Sequence, residues 1–461
     1  MKRNALLASL LVLFSTALTL SFATFLYMVY PQPTRTSPRT IVVPDDCPTI
    51  EWAIRNATEG DTIFVRSGTY CNQSLHINKS LSLIGEGSRT TILRGNLPTF
   101  LGPPGGFLPN TTVIQINANN VKISGFTITN ALFGISGSGN GIEIVGNIIT
   151  FCGETAVRLV GCYNIIAENQ FENVFGGISC AGDYNTITRN NIIQITSSGS
   201  AAISLSGSHN KVAGNSLSNG GYGIFVIGDS NRIIKNNVTD GLAGIEIGVG
   251  SYNIIRGNRA TGNFHHGISI SAAFNNIIYE NHIANNQYGI STLRNHKYRV
   301  TNNTIYRNNI INNVDQVRTD VTEWHWVDGE AVSRKIDLCT INYWDNGREG
   351  NYWSDYNGTD SDGDGIGDTP YIICEHNKDN YPLMNPIVIP DFPDEETPLD
   401  DSTGQTSLNP TPILIAISGT ILLVYFAKIK KATTKAKQPK TLSTNKHIQL
   451  NSYISSQHGF K

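Results

Sequence analysis

The stretch GSYNIIRGN, Gly250 to Asn258, sets two asparagines five residues apart around the apolar pair Ile254 and Ile255. Phrases of the same build return at a steady interval. The second asparagine falls at 147, 169, 190, 215, 236, 258, 281 and 303, with spacings of 21 to 25 residues. Its partner stands five residues earlier at 164, 185, 210, 231, 253 and 276, and the next unit opens on Gly177, Gly223, Gly244, Gly267 or Gly289, with Ala202 substituting once. Apolar and polar residues alternate in short bursts inside each unit, such as Ile245 and Ile247, and a period of two means strands. Short strands at a fixed repeat cannot bury their inner faces alone, so the units must stack as the coils of a parallel β-helix, each about 4.8 Å above the last.

Each inward position then becomes a column. Ile178, Ile203, Ile224, Ile245, Ile268 and Ile290 form one, and Ile166, Ile187, Val212, Ile233, Ile255 and Ile278 another. Asparagine tolerates the left-handed backbone of a sharp turn, and in register its amide both donates and accepts along the stack. The repeated asparagines are therefore expected to be structural. Cys180 falls in an inward column beside Leu205 and reads as a small buried hydrophobe.

The ends of such a stack need cover. Thr49 is placed to cap a helix over Pro48 to Ala57, whose Ile50, Ala53 and Ile54 make an apolar stripe over the first coil. GDTIFVRSGTY, from Gly60, reads as the first strands, and the Pro/Gly-rich run Asn96 to Asn110 as a loop between early coils. Asp328-Gly329 reads as a hairpin turn. The expected class is all-β: a single-stranded right-handed parallel β-helix over 41–313 with an N-terminal helical cap and a C-terminal cap over 314–390.

A net charge of −2 with 15% charged residues provides no basic face, which argues against nucleic acid as a partner. Lys2 and Arg3 precede an apolar run from Ala5 to Tyr30, so 1–30 reads as an export signal or N-terminal anchor. A second apolar run, Ile413 to Ala427, is followed by Lys428, Lys430, Lys431, Lys435, Lys437 and Lys440. That is a stop-transfer pattern, giving a transmembrane helix over 412–427, a basic cytoplasmic tail over 428–461 and an acidic linker over 391–411. The β-helix is thereby expected outside the cell membrane. Acceptor sequons at Asn56, Asn72, Asn78, Asn110, Asn237, Asn302 and Asn357 all lie in the external part. Seven cysteines outside a reducing cytosol permit disulfides, with Cys47 to Cys71 and Cys339 to Cys374 paired by segment.

The opening TIVVPDDCPTIEWAIRNATEGDTIFVRSGTY, the coil phrase, and the later GNYWSDYNGTDSDGDGIGDTPYII together resemble archaeal NosD-like β-helix proteins, within the broader carbohydrate-binding and sugar-hydrolase (CASH) repeat group. The resemblance runs from about Thr40 to Met384 and implies a right-handed β-helix. In the namesake branch it implies help in loading copper into periplasmic nitrous oxide reductase, while many archaeal members are surface proteins. Three methionines and scattered histidines offer no soft-ligand cluster for copper here.

DSDGDGIGD carries the strongest chemical signal. Asp360, Asp362, Asp364 and Asp368 occupy the first, third, fifth and ninth places of a calcium loop, Gly365 the turn at the sixth, and Ile366 offers its carbonyl at the seventh. Tyr371 stands where a bidentate Glu would close an EF-hand. A structural Ca2+ is expected. Trp324, Trp326, Trp344 and Trp353 crowd the segment after the last coil, where aromatic faces suit either sugar rings or a cap over the hydrophobic end.

For catalysis, the outward column after each Gly-Ile reads Glu143, Arg158, Ser179, Ser204, Phe225, Glu246, Ser269 and Ser291. Its two carboxylates stand about 24 Å apart, too far for a glycosidase pair. Asp183 and Asp229 lie two coils apart, but each follows Gly in a turn, where Asp is favoured for backbone reasons. His265-His266-Gly267 has Asp240 as its one nearby carboxylate, and Glu168 with Arg189 reads as a surface ion pair. The expectation is a membrane-anchored extracellular β-helix that binds polysaccharide or surface-layer glycan without turnover. The alternatives are a polysaccharide lyase, hydrolase or epimerase, and an accessory protein for a membrane or copper-enzyme complex.

Overall fold

A computed structural model describes residues 37–96, 111–197, 199–292, 300–327, 330–337 and 340–389. The expected loop Asn96 to Asn110, save its first residue, and the terminal segments 1–30, 391–411, 412–427 and 428–461 lie outside the described residues. Among those described, no helix is long and apolar enough to cross a membrane.

The chain winds as a parallel β-solenoid. Each coil contributes one short strand to a 12-stranded parallel sheet, and longer strands to a 21-stranded sheet. The first strand stands ahead of the run from Gly60 and at the start expected for the β-helix: Thr40–Val43 pairs in parallel with Thr62–Val65, and the helix Ile50–Asn56 lies between them in the chain. Thr49 caps that helix by accepting the Trp52 N–H, and Ile50, Ala53 and Ile54 enter the core.

Both aliphatic columns form as read. Ile178, Ile203, Ile224, Ile245, Ile268 and Ile290 pair in order, as do Ile166, Ile187, Val212, Ile233, Ile255 and Ile278. Nearly all are fully buried. Cys180 is buried opposite Leu205, and burial pushes its thiol up to about 12.

The asparagines form two continuous ladders at the corners of the short strand, so that Asn253 and Asn258 bracket Ile254–Arg256. Most of the amides are satisfied in the same way, the exceptions being Asn164 and Asn185, whose Nδ2 groups are buried without a partner. Asn236 Oδ1 accepts both the backbone N–H and the side-chain amide of Asn215, while its Nδ2 donates to Val212 O and to Asn258 Oδ1. The left-handed conformation belongs elsewhere. It is the residue before each ladder asparagine that has positive φ: Tyr163 (60°), Tyr184 (58°), His209 (59°), Lys235 (54°) and Tyr252 (58°) among them. The asparagine turns inward and the strained residue faces solvent, so two jobs the sequence reading gave to one position are divided between neighbours.

Register also departs from the sequence reading at the last coil. Asn281 is followed by Asn308, and Asn303 continues the other ladder from Asn276. That step is 27 residues instead of the usual 21 to 25. An insertion of about five residues shifts one ladder onto the place expected for the other. A third ladder, Asn263, Asn286 and Asn313, was not read from the sequence.

The ladders run past residue 313. Asn303 passes to Asn342 and Asn377, and Asn308 passes to Asn351 and then Asp379. Asp320–Val327 and Glu330–Asp337 pair antiparallel across the two residues Asp328 and Gly329, the expected hairpin. Cys47 and Cys71 are both free, Cys47 buried in the core and Cys71 exposed, which corrects the expected bridge. Cys374 is disulfide-bonded, while Cys339 lies outside the described residues.

Candidate functional site

The outward column of the longer sheet runs Gln115, Ser136, Arg158, Ser179, Ser204, Phe225, Glu246, Ser269, Ser291, Arg318 in unbroken register. Glu143 is not in it. Its strand belongs to the 12-stranded sheet, where Glu143 lies beside Lys122 with a 3.2 Å ion pair. Gly141-Ile142 has the spelling of a coil opening, but the Ile142 N–H donates to Asn164 at a ladder corner. Arg318 extends the column at the far end and was missed because it follows the lengthened coil. Glu246 is thus the one carboxylate of the column. Burial pushes its carboxyl up, while a hydrogen bond from Ser271 pulls the other way.

Asp183 and Asp229 have structural work. Asp183 Oδ1 accepts the Ser208 N–H at 2.8 Å and Asp229 Oδ1 the Ser251 N–H at 2.7 Å, each tying one coil to the next. Asp240 is in a left-handed turn beneath Gly262, where a Cβ would meet its Oδ1 at 2.6 Å. Glu168 and Arg189 form the expected exposed pair at 2.8 Å.

His265 and His266 sit 5.9 Å apart between ring centres, at a bend where Tyr288 donates its N–H to His265 O. Burial is the main cause that holds both imidazoles below their usual range, and the Arg318 guanidinium adds to it; His266 falls to about 4. Both are neutral near pH 7. His266 Nδ1 and Ser291 Oγ are buried without a hydrogen-bond partner.

The aromatic segment is divided. Trp344 and Trp353 are each 1% exposed, so neither offers a face to a sugar, which corrects their expected role in binding. Trp353 stacks on Tyr371 at 4.2 Å and donates through Nε1 to Asp379 at 2.8 Å. Asp379 also accepts the N–H groups of Asn351 and Tyr381; burial outweighs these donors and raises its carboxyl to about 6. Trp324 and Trp326 lie on the strand Asp320–Val327, and their side chains are outside the described residues.

In the acidic loop, Asp360, Asp362 and Asp364 each bring a carboxylate oxygen within 4.8 Å of the other two. Gly363 and Gly365, at φ 74° and 89°, make the turns that converge them. Asp368 is engaged differently: its Oδ2 accepts from Thr359 Oγ1 and from the Ser361 backbone and hydroxyl. Ile366 lies in the same loop, paired through a single bridge with Leu383.

A model of the family described as periplasmic copper-binding protein (NosD) matches residues 54–249 and 185–358, two overlapping registers as a coil repeat produces. The chain belongs to the NosD family. That description is of a periplasmic family, in keeping with a β-helix outside the cytoplasm. No curated protein matches the chain. Among solved structures it is similar to an alginate lyase from Paenibacillus sp. str. FPU-7, with 17% identity, a TM-score of 0.39, and cover of 61% of this chain and 99% of that one. It is also similar to a polysaccharide lyase from Pseudopedobacter saltans, with 12% identity, a TM-score of 0.41 and cover of 60% and 78%. These likenesses are too distant to bear on activity. The residues of this NosD-family chain do not fit copper: among those described, the only group of three or more His, Cys, Asp or Glu able to share an ion is Asp360, Asp362 and Asp364, all hard oxygen donors.

Proposed function

We propose that this NosD-family protein is an extracellular β-helix, tethered to the membrane by the apolar run 412–427, that holds polysaccharide or surface-layer glycan along its outward column without cleaving it. The observation that carries this reading is the run Arg158, Ser179, Ser204, Phe225 and Glu246, since Ser269 and Ser291 further along the column are buried. It aligns hydroxyl, aromatic and cationic side chains at one coil spacing on a rigid sheet, with Glu246 as its single carboxylate. A glycosidase pair needs two carboxyl groups facing one bond. A linear polymer needs repeated polar contacts at regular intervals, which a coil stack supplies.

In this reading the acidic loop holds a structural Ca2+ through Asp360, Asp362 and Asp364 with the Ile366 carbonyl, and Asp368 braces the loop through Ser361. The helix Ile50–Asn56 and the Trp344, Trp353 and Tyr371 layer act as caps on the two ends of the stack. The test is a glycan array probed with the full chain, followed by product analysis on any ligand. Retention with no new reducing or unsaturated ends is the expected result. New ends would instead support a lyase, hydrolase or epimerase, and no retention would leave an accessory role in a membrane complex.

A further inference from the structure

One corner of the stack, where strands of the longer sheet end and those of the 12-stranded sheet begin, carries nine of the nineteen exposed large apolar side chains among the described residues. They fall in neighbouring columns. Val160, Ile227 and Val249 share the column at the end of the longer strands. Tyr163, Tyr184 and Tyr252 stand in the left-handed turn, each just before a ladder asparagine. Ile165 and Ile277 share the column that opens the short strands, and Phe274 pairs with Ser251 at the turn. Tyr163, Tyr252 and Val160 are more than half exposed and the other six 38–49%. The stripe runs five coils, about 24 Å, and exposes on the order of 700 Å² of apolar surface. A lone soluble chain rarely leaves more than a few hundred Å² contiguous, so the corner calls for a partner.

In area the stripe matches what one protein gives to a standard interface with another, about 800 Å². Its stacked rings suit a protein better than a sugar. Tyr163 stacks on Tyr184 at 5.2 Å and Tyr184 on His209 at 4.9 Å, so the faces a pyranose needs are turned to one another and the edges are left for side chains to pack against. Charge names the partner. Asp183 and Asp229 stand on one side of the tyrosine turn, with Ser208 between them, and Lys211 and Arg232 stand on the other. None of the four is in an ion pair among the described residues. A two-fold axis along the stripe lays each copy's basic column over the other's acidic one, with Arg232 level with the carboxylate at 229. A two-fold axis across the stripe would set Lys211 against Arg232, which like charges oppose.

We propose that this corner is the interface of a parallel two-fold dimer of this chain, with the tyrosine turn on the axis and Lys211 and Arg232 facing Asp183 and Asp229 of the partner subunit. Both described chains, which close at residue 389, then finish at the same end of the pair. The dimer stands apart from the glycan reading and does not depend on it.

The test is sedimentation velocity of the full chain in detergent, with each variant checked by circular dichroism. The wild type is expected to sediment as a dimer at about 100 µM. Tyr252→Lys is expected to raise the dimer dissociation constant about tenfold or more, and Lys235 already fills the same left-handed place at the other corner of the short strand. Lys211→Glu, which sets like charges across the axis, is expected to act in the same direction. Phe264→Lys, at an exposed ring on a different turn, is expected to leave the mass unchanged. Orientation is read from Tyr252→Cys in a Cys71→Ser, Cys162→Ser background. In a parallel pair residue 252 meets its own counterpart on the axis, so oxidation is expected to give a covalent dimer.

A monomer at about 100 µM, or a dimer that neither Tyr252→Lys nor Lys211→Glu weakens, overturns the interface. A dimer without the cross-link at 252 overturns the parallel arrangement. If the chain is monomeric and Tyr252→Lys abolishes retention on the glycan array, the stripe belongs to polysaccharide and the dimer fails.

Discussion

Replacing Asn236 by alanine tests the ladder directly. In the native stack Asn236 Oδ1 takes the Asn215 backbone N–H at 3.0 Å and the Asn215 amide at 2.9 Å, and Nδ2 gives to Val212 O at 2.9 Å and Asn258 Oδ1 at 3.0 Å. Truncation does not strand all of these. Asn215 Nδ2 keeps Ile187 O at 2.9 Å, and Asn258 Oδ1 keeps the residue 236 backbone N–H at 2.9 Å. The Asn215 backbone N–H is left buried with no acceptor, and Val212 O loses a donor. One orphaned buried donor costs about 1–3 kcal/mol, and the three other lost bonds about 1 kcal/mol each, so the expected destabilisation is about 4–6 kcal/mol. Denaturant unfolding of the full chain by circular dichroism gives the total, and hydrogen exchange at the Asn215 amide gives the local effect, which matters because stacked repeats need not unfold in one step. Asn236→Asp is expected to be worse, because a buried carboxylate would face the Asn258 carbonyl oxygen. Aspartate is accepted at 379, where Asn351, Trp353 and Tyr381 all donate to it. A loss below about 1 kcal/mol for Asn236→Ala, with the Asn215 amide still protected, would refute the reasoning.

Gly207→Ala should be costly, because at φ 137° its Cβ would stand 2.1 Å from Gly182 O, and each coil repeats that contact. A loss of about 2–4 kcal/mol is expected, against about 1 kcal/mol for Gly146→Ala, which has open space at φ 68°; equal melting of the two variants would sink the argument. His266 titrates near 4 in the fold against an ordinary 6.5, so its contribution is complete above about pH 6.5 and is lost as pH falls toward 4, by about 3 kcal/mol. Comparison with His266→Gln isolates this from Asp379, whose raised carboxyl gives the opposite slope; identical pH profiles of wild type and variant would count against it. Calcium is expected to raise the melting temperature by a few degrees and Asp362→Ala to abolish the shift, whereas Asp368→Ala should retain part of it; a melt indifferent to chelator would exclude the ion.

Much of this molecule is written in its period. Alternation within each burst and a repeat near 22 residues name the inward aliphatic residues, because a strand's side-chain direction is a local property and stacking merely repeats it. Cys180, Ile245 and Ile255 were legible for that reason. The candidate sites were less so. Trp344 and Trp353 are the residue types that sugar sites use, but one-dimensional crowding cannot tell an exposed ring from one packed under Tyr371. Asp368 has the spacing of a ligand, but its carboxylate is drawn to Ser361.

The sequence by itself determined that the chain coils, which faces fill the bore, and that asparagine lines its corners. Only the tertiary structure decided where each outward group stands along the axis. An insertion of about five residues before Asn303 equals the distance between the two ladders, so spelling alone puts the last coil one ladder out. Only the hydrogen bonds between coils moved Glu143 to Lys122 and brought Arg318 into line with Ser291. Those bonds join residues about a coil apart in the chain, and such non-local register is not encoded in any one repeat.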